Sequence, residues 1–135
     1  MFQVKSLVMI VDDQAVIRSI LRKIFEPENF DVSDATDGAE GVRKAQAEKP
    51  NLIILDLSMP LMNGLEAARE LKMLMPDVPL LMFTNNAVGI VEKEARSAGI
   101  SAVISKSESD AMRRLLAQAK ELLGLDRADC QKRGS

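Results

Sequence analysis

Five short apolar runs alternate with segments of helical spacing along most of this 135-residue chain, and this alternation limits its fold more than any other feature. It is typical of βα units, in which helices connect parallel strands. The runs are Leu7 to Val11, Phe30 to Ala35, Leu52 to Leu55, Leu80 to Phe83 and Ala102 to Ile104. Four are nearly continuous in apolar residues, as buried parallel strands require, whereas the second contains Asp31, Ser33 and Asp34 and is predicted to form an edge.

The segments between and after these runs predict five helices. The first, fourth and fifth each place apolar residues on one face. These residues are Ile17, Ile20, Leu21, Ile24 and Phe25 in the first helix, Val88, Val91, Ala95 and Ala98 in the fourth, and Met112, Leu115, Leu116, Ala119, Leu122 and Leu123 in the fifth. The second helix, Asp37 to about Glu48, and the third, about Leu65 to Leu74, are bounded by Pro50 and by Gly64 and Pro76.

Right-handed crossovers place the helices on both faces of one open sheet. The expected fold is α/β: a doubly wound, flavodoxin-like parallel sheet of five strands in the order 2-1-3-4-5, since a closed barrel of eight units needs nearly twice the residues. This order puts the polar second strand at an edge and makes strands 1 and 3 neighbours at the switch point, where ligands bind. We expect one domain over residues 5–123 and a polar tail over 124–135, either the start of a linker or the end of the chain.

Composition excludes several classes of function. Eighteen basic and twenty acidic residues give a net charge of −2, so we expect neither direct nucleic-acid binding nor attraction to an anionic membrane. The chain has no histidine, which removes imidazole bases, histidine zinc ligands and phosphohistidine. A single cysteine, Cys130, excludes an intramolecular disulfide and favours a cytoplasmic location.

Polar residues stand at the carboxyl ends of four predicted strands, which lie side by side in the expected order. They are Asp12 and Asp13 after strand 1, Asp56 after strand 3, Thr84 after strand 4, and Ser105 and Lys106 after strand 5. Three clustered carboxylates repel one another by several kcal/mol for a pair about 4 Å apart, so a cation must lie among them. An all-oxygen donor set favours Mg²⁺ or Mn²⁺. With Lys106 and a divalent ion the charges sum to zero, and the site could accept a phosphoryl group on the central Asp56.

These motifs resemble those of the response-regulator receiver domains of two-component signalling, chemotaxis regulators included. The resemblance covers residues 5 to 123. It rests on Asp12-Asp13 after an aliphatic strand, Asp56-Leu57-Ser58-Met59-Pro60 with Gly64 four residues beyond the proline, Thr84 after strand 4, and Lys106 after strand 5.

The resemblance implies a metal site and a phosphotransfer reaction. Asp13, Asp56 and the backbone carbonyl of Ser58 would bind Mg²⁺, and Asp12 would bind it mainly through water. Asp56 would take phosphate from the histidine of a sensor histidine kinase or a histidine phosphotransfer protein, and the chain would catalyse its own phosphorylation and slow dephosphorylation. Thr84 and Lys106 would bind phosphoryl oxygens. Output would pass through the surface of helix 4, strand 5 and helix 5, with a phosphorylation-dependent homodimer as one possible form.

Three residues depart from the usual pattern of this family. Val103 replaces the Tyr or Phe that turns inward when the threonine moves, so one half of the switch is missing. Asn85 replaces a small residue and would slow the entry of phosphate or water. Ser107 replaces a proline that often follows a cis bond, so a trans bond and a less rigidly aimed Lys106 are expected.

Other interpretations of the same residues stay open. Asp12-Asp13 could cap helix 1, and Ser107 with Asp110 is interpreted as a capping box for helix 5. Ala15, Val16 and Ile90 are candidates for partner docking. A receiver-like interaction module insensitive to phosphorylation is the alternative function, and an aspartyl-phosphate phosphatase is disfavoured because Ser58 stands where such enzymes carry a second aspartate.

Overall fold

A computed structural model describes residues 5–59, 62–85 and 88–125 of the chain, apart from the side chains of Val88 and Ile90. Its strands form one parallel sheet in the order β2-β1-β3-β4-β5, which confirms the predicted α/β fold. The strands are β1 Ser6–Val11, β2 Phe30–Ala35, β3 Leu52–Leu55, β4 Leu80–Thr84 and β5 Ala102–Ser105. The helices are α1 Ala15–Phe25, α2 Gly38–Glu48, α3 Gly64–Leu74, α4 Val88–Ser97 and α5 Ala111–Leu122, with a short 3-10 turn at Glu26–Glu28.

The edge position of β2 is also confirmed. This strand pairs only with β1, and its middle four residues are partly or fully accessible, whereas every residue of the central strands β3 and β4 is buried. Because parallel strands run in one direction, the carboxyl ends of β1, β3, β4 and β5 meet at one rim of the sheet. We call this end of the sheet, where Asp12, Asp13 and Asp56 follow the strands, the acidic rim.

The sheet separates two apolar cores. One core lies under α1 and α5 and contains Phe25 and Phe30, whose rings meet edge to face with centroids 5.1 Å apart. The other lies under α2, α3 and α4 and is built largely from alanine, leucine and methionine. Ile20 was predicted to belong to the first core, but its side chain is exposed. Leu21 and Phe25, predicted together with Ile20, are fully buried in that core, because one step along a helix turns a side chain by about 100° away from its neighbour.

Side chains cap the starts of two helices. Asp37 accepts a hydrogen bond from the Glu40 N–H at 2.8 Å, and Asn63 and Glu66 form a reciprocal capping box with bonds of 2.9 and 3.0 Å, which the sequence reading missed. The capping box predicted from Ser107 is wrong. Helix α5 begins only at Ala111, and the Ser107 hydroxyl instead meets that of Ser105 at 2.8 Å.

Among the described helices, none offers an apolar length that could reach across a lipid bilayer.

Candidate functional site

Three carboxylates meet at the acidic rim. Asp12, Asp13 and Asp56 each place a carboxylate oxygen within 4.8 Å of the other two; Asp12 and Asp56 are buried, and Asp13 is exposed. The backbone of neighbouring strands positions them, because the Asp56 N–H donates to Val11 O at 3.0 Å and the Asp12 N–H donates to Ala35 O at 3.1 Å. The structure therefore brings together the three aspartates that the strand order predicted.

Lys106 inserts its ammonium group between the two buried carboxylates. Its Nζ lies 2.8 Å from Asp12 Oδ2 and 3.4 Å from Asp56 Oδ2, with only 5% of the side chain exposed. The same Nζ donates to Gln14 Oε1 at 3.3 Å and lies 5.9 Å from the centre of the Phe83 ring. The lysine thus neutralises part of the charge of the cluster at close range.

Ser107 does not prevent Lys106 from reaching the site. No peptide bond among the described residues is cis, so the bond before Ser107 is trans, as expected. Yet the Lys106 N–H donates to Thr84 O at 2.8 Å, which continues the pairing of β5 with β4 by one residue and aims the side chain at the rim. Lys106 thus reaches the rim without a proline behind it, and a less rigidly aimed Lys106 stays a prediction.

Burial and the neighbouring Lys106 ammonium group shift the pKa of the Asp56 carboxyl in opposite directions. Burial raises the pKa of the Asp56 carboxyl above its ordinary value, because low-dielectric surroundings disfavour the charged form. The Lys106 ammonium lowers the pKa of Asp56, and the Asp12 carboxylate raises it again. The net result is a raised pKa, so a further cation at this site would help to keep Asp56 ionised.

The donor set fits a hard divalent cation. It consists of carboxylate oxygens from three aspartates, one of them open to solvent, and no histidine or cysteine of the described residues joins the cluster. Mg²⁺ prefers such oxygen donors and retains several water molecules, for which the exposed side of Asp13 leaves room. Asp12, Asp13 and Asp56 would hold the ion, and it would supply positive charge to phosphoryl oxygens.

The response half of the site, here defined as Thr84 and Val103, lies on β4 and β5. Thr84 is buried at the end of β4 opposite Ser105, and Val103 lies opposite Met82, half-buried against the core under α2, α3 and α4. Asn85 is exposed. Ser58 is also exposed, and the binding of metal by its carbonyl stays a prediction.

The candidate docking residues of α1 lie beside the acidic rim. Ala15 and Val16 begin the helix that follows Asp13, and Val16 is 69% exposed. Ile20 follows one turn later on the same side and is 37% exposed. The side chain of Ile90 falls outside the described part of the structure.

The structure also explains the glycine of the acceptor motif. A Cβ at Gly64 would lie 2.2 Å from the backbone oxygen of Asp56, and the Gly64 N–H donates to Leu57 O at 2.8 Å. Because a backbone atom cannot move aside as a flexible side chain can, only glycine lets the start of α3 pack against the Asp56 loop. The glycine therefore supports the geometry of the acceptor.

Two residues beside the site were missed in the sequence. Gln14 donates its backbone N–H to Asp12 Oδ1 at 2.9 Å, and Arg18 donates from Nη1 to the backbone oxygen of Asp12 at 2.7 Å. The only signal for Arg18 was a basic residue one turn after Gln14, at the start of a helix that follows an acidic pair. The interpretation of Asp12-Asp13 as the cap of α1 is wrong, because the N-cap is Gln14 and it has no side-chain capping bond; Asp12 instead accepts from the Gln14 N–H and holds Lys106.

Comparison with known proteins agrees with this geometry. Residues 8–120 match the family described as the response regulator receiver domain. A putative transcriptional regulator of Pseudomonas aeruginosa is 36% identical over 119 residues, which is 87% of this chain and 56% of that protein. The aerobic respiration control protein ArcA of Escherichia coli is 46% identical over 65 residues, 48% of this chain and 27% of that protein. The chain spans about half or less of the length of these relatives.

Solved structures show the same architecture. A CheY-like response regulator receiver domain from Methanospirillum hungatei superposes with a TM-score of 0.83 at 29% identity, over 93% of this chain and 99% of that chain. The chemotaxis protein CheY4 of Vibrio cholerae superposes with a TM-score of 0.80 at 26% identity, over 88% of this chain and 99% of that one.

Proposed function

The chain belongs to the family of response regulator receiver domains, and we propose that it is a phospho-acceptor switch in which Asp56 receives a phosphoryl group from a partner histidine. The observation that carries the proposal is the acidic rim itself: three aspartate oxygens within 4.8 Å of one another, with Lys106 Nζ 2.8 and 3.4 Å from two of the carboxylates. No histidine occurs in these 135 residues, so the donor histidine must lie outside them.

Each residue of the rim has a distinct task in this reaction. The Asp56 carboxylate attacks phosphorus; the bond from phosphorus to the donor nitrogen breaks, and the imidazole keeps the electron pair. Lys106 neutralises charge that develops on a phosphoryl oxygen, and the Thr84 hydroxyl binds another after transfer. When bound by Asp12, Asp13 and Asp56, a Mg²⁺ or Mn²⁺ ion would supply the remaining positive charge. Reaction of the new acyl phosphate with water would reset the switch.

The acceptor assignment is tested by the mass of the intact protein after incubation with acetyl phosphate and Mg²⁺. We expect the wild-type chain to gain one phosphoryl group, and Asp56→Asn or removal of the metal with EDTA to prevent the gain. Asp77→Asn is the matched control, since this exposed aspartate precedes β4 at the opposite end of the sheet. A phosphoryl group still present on Asp56→Asn would overturn the assignment.

The partner would dock on the exposed apolar surface of α1 next to the rim, formed by Ala15, Val16 and Ile20. Such a surface suits a helical histidine-bearing domain, because apolar side chains beside the acceptor can be buried as the two sites meet. Val16→Glu is expected to slow phosphoryl transfer from a cognate histidine protein while leaving uptake from acetyl phosphate unchanged. Equal slowing of both reactions would contradict a docking role.

One observation favours the alternative, a phosphorylation-insensitive interaction module: the half-buried side chain at position 103 is valine and brings no ring to the face of Thr84. Amide chemical shifts recorded with and without beryllofluoride, a phosphate mimic, distinguish the two functions. A switch requires changes that extend from the rim into α4, β5 and α5, whereas the alternative requires changes confined to the rim. Sedimentation of the same samples tests the proposed phosphorylation-dependent homodimer.

The output of the switch is also a proposal. Some relatives are described as transcriptional regulators and exceed the length of this chain, which suggests that a separate domain or protein carries the output. The cytoplasmic location stays a prediction.

A further inference from the structure

Arg18 is the basic side chain next to the acidic rim to which the proposed reaction gives no task. It lies on the first half of α1, and only 17% of its side chain is exposed. Its Nη1 donates to the backbone oxygen of Asp12 at 2.7 Å, and its Nε lies 3.7 Å from Asp34 Oδ2 on the edge strand β2. Hydrogen bonds from a charged donor at this length are among the stronger ones in proteins. The guanidinium group therefore ties the peptide between Asp12 and Asp13 to β2.

The N–H and the carboxylate of Asp12 also have hydrogen-bond partners. Its N–H donates to Ala35 O on the same edge strand, and its carboxylate accepts from the Gln14 N–H and from Lys106. Only the backbone oxygen depends on Arg18. Because that oxygen and the nitrogen of Asp13 belong to one rigid peptide plane, the orientation of this plane sets the direction in which the exposed side chain of Asp13 leaves the backbone.

We propose that Arg18 is a positioning residue for the divalent-metal site: by holding the Asp12 carbonyl, it keeps the Asp13 carboxylate turned toward Asp56. The inference rests on the proposed function, since it takes the three aspartates as metal ligands. Groups that orient a ligand typically change metal affinity by about 10–100-fold when they are removed.

Because Arg18 is charged, the direction in which metal affinity changes on its removal tests the proposal. A positive group beside the aspartates repels a metal ion, so removing it as a charge alone would tighten metal binding. If Arg18 instead acts by positioning Asp13, its removal would weaken metal binding. Arg22 provides the matched control, because it lies on the same helix and also approaches Asp34, at 3.6 Å, but donates to Val32 O instead of Asp12 O.

The experiment titrates Mn²⁺ into the wild-type chain, Arg18→Met and Arg22→Met, and reads the free ion by electron paramagnetic resonance. We expect affinity to fall about tenfold in Arg18→Met and to stay equal or rise slightly in Arg22→Met. In the metal-free protein, hydrogen exchange of the Gln14 amide should be faster in Arg18→Met only. This second reading locates the effect at the Asp12 loop, because that amide donates to Asp12.

Two failures are distinguishable. Wild-type protein that binds no Mn²⁺ would overturn the proposed function, and this inference with it. Wild-type binding together with equal or tighter binding by Arg18→Met would overturn the positioning role alone, since Arg18 would then act only as a charge. Equal weakening in Arg22→Met would also overturn it, because the effect would not depend on contact with Asp12.

Discussion

The two faces of the sheet are packed by different kinds of residue. The face under α1 and α5, here called the aromatic face, contains Phe25, Phe30 and Phe83, each at most 1% exposed. The face under α2, α3 and α4, here called the small-residue face, buries six alanines and, among the described residues, no aromatic ring. The same sheet therefore packs against large, shape-specific side chains on one side and against closely approaching helices on the other.

This difference matters because the two halves of the site rest on different faces. The ring of Phe83 lies beneath Lys106, and α1, which carries Arg18 and follows Gln14, packs on the aromatic face. Thr84 and Val103 alternate with the residues of that face, so their side chains belong to the small-residue side. The charged acceptor thus rests on bulky aromatic packing, whereas Thr84 and Val103 rest on smaller buried side chains.

The strongest test of this comparison removes a ring from the aromatic face. Phe25→Ala is expected to lower the free energy of unfolding by about 3–5 kcal/mol, since it leaves a cavity and removes the edge-to-face partner of Phe30. Urea denaturation followed by circular dichroism measures the loss. Met73→Ala, a change at a residue that is 83% exposed, should alter stability by less than about 0.5 kcal/mol. A Phe25→Ala loss below about 1 kcal/mol would contradict tight packing of the aromatic face.

A single methyl group tests how closely the helices approach on the small-residue face. A Cβ at Gly41 would lie 2.9 Å from a methyl of Val11, whereas a Cβ at Gly89 would meet nothing within 4 Å. We expect Gly41→Ala to destabilise the protein by about 1 kcal/mol, because overpacking against a stiff β-branched residue exceeds the gain in helix propensity. Gly89→Ala should stabilise it by up to about 1 kcal/mol. A rise in the thermal unfolding midpoint of Gly41→Ala would show that α2 has room to move.

The smallest expected effect concerns a polar contact that holds the start of α2. The Glu40 carboxylate accepts from the Thr36 N–H at 2.6 Å and from its hydroxyl at 3.0 Å, and this backbone hydrogen bond is the main reason that the pKa of Glu40 is lowered. Because the pKa of Glu40 is lower in the folded state, its carboxylate stabilises the fold at pH values above about 4.5, the pKa of the unfolded chain. This contribution is lost as the pH falls through the lower pKa of the folded state.

Glu40→Gln keeps an acceptor oxygen but removes the charge, so it isolates this contribution. We expect the variant to be less stable than wild type by under about 1 kcal/mol at neutral pH, with the difference disappearing as pH falls through the lowered pKa of the folded state. Urea unfolding at several pH values measures it. A difference that grows on acidification would contradict the assigned sign. The result would show that α2 is held at its start by polar contacts rather than by aromatic packing.

Much of the fold could be predicted from the sequence, because its signals are local. The bounds of β2 and β3 match the apolar runs, and the polar character of β2 correctly placed it at an edge. The errors concerned rotation and local hydrogen bonding. Ile20 has helical spacing with core residues, but the helix turns it outward, and Ser107 has capping chemistry but bonds to Ser105 while α5 starts later.

The sequence by itself determined the order of strands and helices, the edge strand, and the identity of the charged groups that end the strands, since hydrophobic period and strand polarity are properties of neighbouring residues. The tertiary structure alone decided that Lys106 holds both Asp12 and Asp56 without a proline behind it, and that Arg18 binds the Asp12 carbonyl. These contacts join side chains of one element to groups of another. They depend on the rotation and position of each helix on the sheet. Packing on the two faces sets this rotation and position, so no single segment of the sequence encodes them.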